Sequence, residues 1–281
     1  MSGSLVLAVA DTGDVLAFHL HLDLIGVVVA AAVGYEYSVR RLARFHAPRG
    51  EPTVTLRQRI LFYTGLISVV AVSGWPVHDI GERSLYAVHM VEHLTLTLVA
   101  PPLLLWGTPW WLIRLLVRPV MPVLRLVTRP LVALVLFNAA IAVSHVPTVV
   151  EAMVTSQVFH FLAHGALFVT AILMWWPVVS PIPDLPRLAP FQKMGYLFLQ
   201  SLVPTVPASF LTLGTVPLYP IYETFPRLWG LDALTDQIIG GLIMKIGGGL
   251  ILWGFIAGVF FTWWAEEQRY TRPARVVRSA P

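Results

Sequence analysis

The sequence predicts an all-α polytopic membrane protein with seven transmembrane helices, its N-terminus outside and its C-terminus cytoplasmic. Three observations carry that prediction. Hydrophobic residues make up 57% of the chain and charged residues only 12%, with a mean hydropathy of +0.74; a soluble domain carries about twice that share of charge. The apolar stretches are continuous rather than alternating, the pattern of membrane helices and not of barrel strands. Sixteen of the 19 Lys and Arg residues gather in alternate loops and the C-terminal tail, and an excess of positive charge marks the cytoplasmic side. There is no cysteine, which excludes disulfides, thiolate metal sites and thiol redox chemistry. The lipid bilayer is the first expected partner; no nucleic acid is expected.

Residues 1–14, MSGSLVLAVADTGD, include an AVA-D stretch that resembles a signal cleavage site. The apolar run before it is short and no basic residue precedes it, so the segment reads as an N-terminal tail. The transmembrane domain covers 15–264. Span one, roughly Val15 to Val39, is followed by a basic loop holding Arg40, Arg41, Arg44, Arg49, Arg57 and Arg59. Span two runs roughly from Ile60 to Trp75, and an outer loop, PVHDIGERS, leads to span three, Ser84 to Trp111. Next, WWLIRLLVRPVMPVLRLV sets arginines every few residues into an apolar stretch with Pro119 and Pro122, as an interfacial amphipathic piece does. Span four is Pro130 to Pro147, and span five is Val158 to Val179. Span six, Met194 to Val216, contains Pro204 and Pro207, which should kink or break it. Span seven, Asp236 to Trp264, is glycine-rich, and residues 265–281 form a basic cytoplasmic tail. The spans are close to the roughly 20 residues that a bilayer requires. Trp106, Trp110, Trp111, Trp175, Trp176, Trp263 and Trp264 fall at the inner ends, where an interfacial belt belongs.

On this topology eight of the 9 histidines share the outer leaflet, and only His46 is cytoplasmic. HMVEH (His89, His93) in span three and HFLAH (His160, His164) in span five have the same period, which puts both imidazoles of each pair on one helix face. His145 ends span four at the same level. Imidazole suits copper, zinc and iron, and ligand pairs from facing helices are how bundles build metal sites. The expected ligands are therefore His89, His93, His145, His160 and His164, with His19, Asp23 and Asp236 as candidate additions. For His19, His21 and His78 the alternative is an ordinary interfacial role.

Ionisable groups inside spans are costly to bury. Glu92 in span three and Lys245 in span seven lie at similar depth by residue count, so they are expected to form a buried ion pair. No Walker loop, nucleophilic serine motif or dinucleotide fingerprint appears in a suitable context.

HMVEHLTLTLVAPPLLLWGTP, SHVP at His145, HFLAH followed by LFVTAILMWWPVV, and PLYPIY through DQIIGGLIM together resemble the CtaG-type cytochrome c oxidase assembly factors, in the same order, from roughly Ala17 to Trp264. The resemblance implies a seven-span bacterial plasma-membrane protein that matures haem-copper oxidase by handling copper. The five histidines match the family's His motifs, and Asp236 and Gln237 match its DQ. Glu92 stands where that family commonly has a neutral Gln, and Lys245 where it has an aromatic residue.

The expected function is thus to bind copper between spans three, four and five near the outer face. Copper would come from an extracytoplasmic donor and pass to a cytochrome c oxidase subunit during assembly, without turnover of a substrate. Two alternatives stand beside it. One is a zinc-dependent intramembrane hydrolase with Glu92 or Asp236 as general base. The other is an electron carrier with facing histidines as axial ligands to haem.

Overall fold

The structure, a computed structural model, describes residues 15–50 and 52–271; the N-terminal tail and residues 272–281 of the basic tail lie outside the described residues. Among the described residues the regular elements are all helical. Five helices are long and apolar enough to cross a membrane, and two bent pairs bring the number to as many as seven.

Helix α1, Leu22–His46, carries Val27, Val29 and Val33 exposed on its outside, as a lipid-facing surface does. In its C-terminal half Tyr35 stacks on Phe62 at 3.9 Å, and its hydroxyl donates to Gly107 O at 3.0 Å. Helix α2, Leu56–Ser73, opens on a capping box in which the Thr55 and Gln58 side chains satisfy each other's backbone N–H groups. It breaks at Gly74–Pro76 and resumes, bent by 41°, as α3, Val77–Arg83. The stretch read as an outer loop is therefore a helix that continues span two.

Helix α4, Tyr86–Gly107, is the axis of the bundle. Of its most apolar window 61% is buried, against 11–28% for the other four long helices. Two glycines allow its neighbours to approach. A Cβ on Gly107 would fall on the Phe62 backbone of α2, and one on Gly240 would come within 2.6 Å of Tyr86 Cδ1. Helix α5, Trp110–Val127, meets α6, Pro130–Ser144, at 90°, the angle expected of an interfacial piece leading into a span. A short helix α7, Pro147–Thr155, precedes α8, Gln157–Val179. Helix α9, Pro190–Leu213, is interrupted at Val203–Pro204, where the missing N–H of proline was expected to break it. After two 3₁₀ turns the long α10, Ala233–Arg269, packs on both α4 and α9.

The main core joins Tyr86, Met90, Phe137, Met174, Trp175, Leu197, Leu211 and Met244. Three of the tryptophans expected in an interfacial belt belong to the interior instead: Trp111, Trp175 and Trp176 are at most 4% exposed. Two of them find acceptors there. Trp111 Nε1 donates to Thr53 O and Trp175 Nε1 to Thr97 O, each at 2.9 Å.

Candidate metal centre

His89 and His93 project from one face of α4, one turn apart, with ring centroids 4.3 Å from each other. Helix α8 brings His164 against them, at 5.5 Å from His89 and 4.9 Å from His93. One ligand nitrogen from each of the three lies within 4.8 Å of the others. Both α4 rings are only 6% exposed. His89 Nδ1, both nitrogens of His93 and His164 Nε2 are buried without a protein hydrogen-bond partner. A buried polar atom left unpaired costs about 1–3 kcal/mol. Three such imidazoles converging on one point are a donor set that a metal ion would satisfy, and the neutral ring is the form that ligates.

His145 and His160 flank this trio without belonging to it. His145 follows the last turn of α6, its ring centroid 6.2 Å from that of His93. Its Nδ1 donates to Ile141 O at 2.8 Å, so the buried and unpartnered Nε2 carries the lone pair. His160, one turn before His164 with centroids 4.1 Å apart, turns its Nδ1 to Glu82 Oε1 at 2.7 Å. With His78 these two make a separate cluster, again with ligand atoms within 4.8 Å of one another.

Glu92 joins the two clusters. Its carboxylate, 0% exposed, accepts from Ser73 Oγ at 2.7 Å and lies 3.0 and 3.1 Å from His78 Nδ1. On the other side Oε1 is 4.0 Å from His164 Nδ1. The expected pair with Lys245 does not form. Tyr86, Met90, Leu94 and Leu98 are the α4 residues that face the glycines of α10. Glu92, two residues from Met90, points about 200° away around the helix, toward α2 and α3. Lys245 is exposed and lines a cleft with Met90, His93, His145, Ser201 and Pro204, beside the break in α9.

The candidate additions are placed elsewhere. Asp236, 0% exposed, accepts from the backbone N–H groups of Tyr86 and Ala87 at 2.8 and 2.9 Å and from Arg227 Nη2 at 2.9 Å. Those three donors hold its oxygens at the start of α4, and Asp236 belongs to neither cluster. His19 and His21 both reach Asp79, at 3.2 and 2.9 Å, while Asp23 is exposed and in neither cluster. His78, Asp79 and Glu82 are what sequence reasoning set aside as loop residues. The signal was present: His78 and Glu82 have the same four-residue spacing as the two H-x-x-x-H motifs.

A family model described as cytochrome c oxidase caa3 assembly factor matches residues 33–266, which include every member of both clusters. The chain belongs to this family. Two curated relatives are similar to this chain over much of its length: the uncharacterized protein Mb0105 of Mycobacterium bovis and the uncharacterized protein MT0111 of Mycobacterium tuberculosis. Each is 26% identical over 242 residues, covering 78% of this chain and 35% of the relative. The chain thus spans about a third of the length of those proteins. No solved structure matches it. Asp236 and Gln237 both make structural contacts here. Beside the Asp236 cap, Gln237 accepts from Leu218 N–H and donates to Leu211 O, tying the loop before α10 to α9.

Proposed function

We propose that this caa3 assembly factor holds a copper ion as cargo between His89, His93 and His164 and delivers it to an oxidase subunit maturing beside it in the bacterial plasma membrane. The observation that carries the reading is the set of buried, unpartnered imidazole nitrogens from two helices converging within 4.8 Å. An all-imidazole set suits copper, and no carboxylate belongs to the trio. Three ligands leave room for a further one, which a site that must give up its ion requires. His145 Nε2, free beside His93, is the internal candidate for that position. The outer-face placement of the histidines, derived from the positive-inside rule, suits loading from an extracytoplasmic copper donor.

The test is copper content after purification in mild detergent from copper-supplemented cells. His93→Ala and His164→Ala should each lose most of the metal, because removing one of three ligands leaves an incomplete shell. His46→Ala, exposed on α1, should keep it. Equal copper in all three proteins overturns the assignment. A Soret band would point to haem instead, and zinc in place of copper to the hydrolase reading, in which the nearby Glu92 would act as base.

A further inference from the structure

His78, Glu82 and His160 share the geometry of the inner trio but not its chemistry. Their ligand atoms also lie within 4.8 Å of one another. The donors are two imidazoles and a carboxylate, a mixed nitrogen and oxygen set that suits a borderline divalent cation better than a soft monovalent one. The cluster is also nearer the surface: the Glu82 and His78 side chains are 25% and 17% exposed, where His89 and His93 are 6%. Each imidazole is positioned for ligation. With the Glu92 carboxylate accepting at His78 Nδ1, the Nε2 of that ring is presented toward Glu82, 3.9 Å away. His160 turns its Nδ1 to Glu82 Oε1 at 2.7 Å, so that nitrogen is the one it brings to this cluster.

We propose that His78, Glu82 and His160 form a second metal site, which takes a divalent cation such as Cu²⁺ or Zn²⁺ and stands in series with the inner trio. Two contacts join the sites. His160 and His164 are adjacent turns of one helix with rings 4.1 Å apart, and Glu92 reaches His78 on one side and His164 on the other. An ion bound outside would be one ligand exchange from the inner centre. This series arrangement rests on the inner trio being a metal centre; the outer binding site itself does not.

The experiment is equilibrium dialysis of the full chain in detergent against Cu²⁺ and, separately, Zn²⁺, with metal counted per folded chain. The wild type should hold about two ions, and Glu82→Gln about one. His89→Ala should also hold about one, and the combined variant close to none. With Cu²⁺, the electron paramagnetic resonance signal of the wild type should show dipolar broadening between two nearby ions, absent in Glu82→Gln. His78→Ala provides a second outer variant should Glu82→Gln not yield folded protein. A metal count that stays at the wild-type value, whether one or two, when Glu82 or His78 is replaced overturns the outer site. A count that stays at the wild-type value in His89→Ala but falls in Glu82→Gln instead overturns the inner centre and leaves the outer one standing.

Discussion

Glu92 shows what a sequence does and does not reveal at the scale of one residue. Its depth followed from counting residues down the helix, and so did that of Lys245. Its azimuth did not, because which face of α4 meets α10 depends on packing, here set by Gly240 against Tyr86. A double-mutant cycle of thermal stability separates the two arrangements. Glu92→Gln and Lys245→Met should add within about 0.5 kcal/mol, as unconnected sites do, whereas Glu92→Gln and His78→Ala should couple by more than that. Coupling to Lys245 instead would restore the expected pair. Asp236 illustrates the converse, an intramembrane acid whose role is architectural. Arg227 donates to it and also to the backbone of Ser84, Tyr222 and Leu231. Arg227→Ala should therefore cost about 3–5 kcal/mol by leaving a buried carboxylate uncompensated. Folded Arg227→Ala should still bind copper, and loss of copper without loss of melting temperature would contradict the structural role.

At the scale of elements, the helices themselves were legible from apolar length, and the break in α9 from its prolines. What escaped was α3. Its charged sequence, VHDIGER, resembles a solvated loop, and only the contacts of His78, Asp79 and Glu82 with the segment before α1, with α4 and with α8 make it part of the site. The π-helical turn Thr95–Val99 inside α4 was equally invisible, since residue types alone do not specify a wide turn. Just below His93 the backbone finds other partners: His93 O accepts from Thr97 Oγ1 at 2.6 Å, and Thr97 O from Trp175 Nε1 at 2.9 Å. That indole bond ties together the two helices that supply the inner ligands. Trp175→Phe keeps most of the ring volume and removes the donor, leaving a buried carbonyl unsatisfied at a cost of about 1–3 kcal/mol. Both melting temperature and retained copper should fall; unchanged copper would show that the bond supports the fold alone.

For the molecule as a whole, the charge pattern of the sequence predicts a side of the membrane for every loop. Because the chain has no cysteine, single introduced thiols report that assignment cleanly. Four exposed positions serve: Arg49, Pro183, Ser156 and Thr224. In intact cells an impermeant thiol reagent should label cysteines at Ser156 and Thr224 and spare those at Arg49 and Pro183. The opposite pattern would put both histidine clusters on the cytoplasmic side. Gly50, the loop neighbour, is avoided because its φ of +85° disfavours a side chain.

The indole bond also fixes where α8 can move. Trp175 lies eleven residues beyond His164, about 16 Å along the axis at the helical rise. Pivoting α8 by roughly 5° about that point would carry the His164 ring through about 1.4 Å, while the helix near the pin hardly shifts. Metal–nitrogen bonds tolerate only about 0.2 Å. The long arm above Trp175 therefore gives the proposed ligand set leverage: with an ion held there, a tilt of that size at the His160 end of α8 would exceed what a metal–nitrogen bond tolerates.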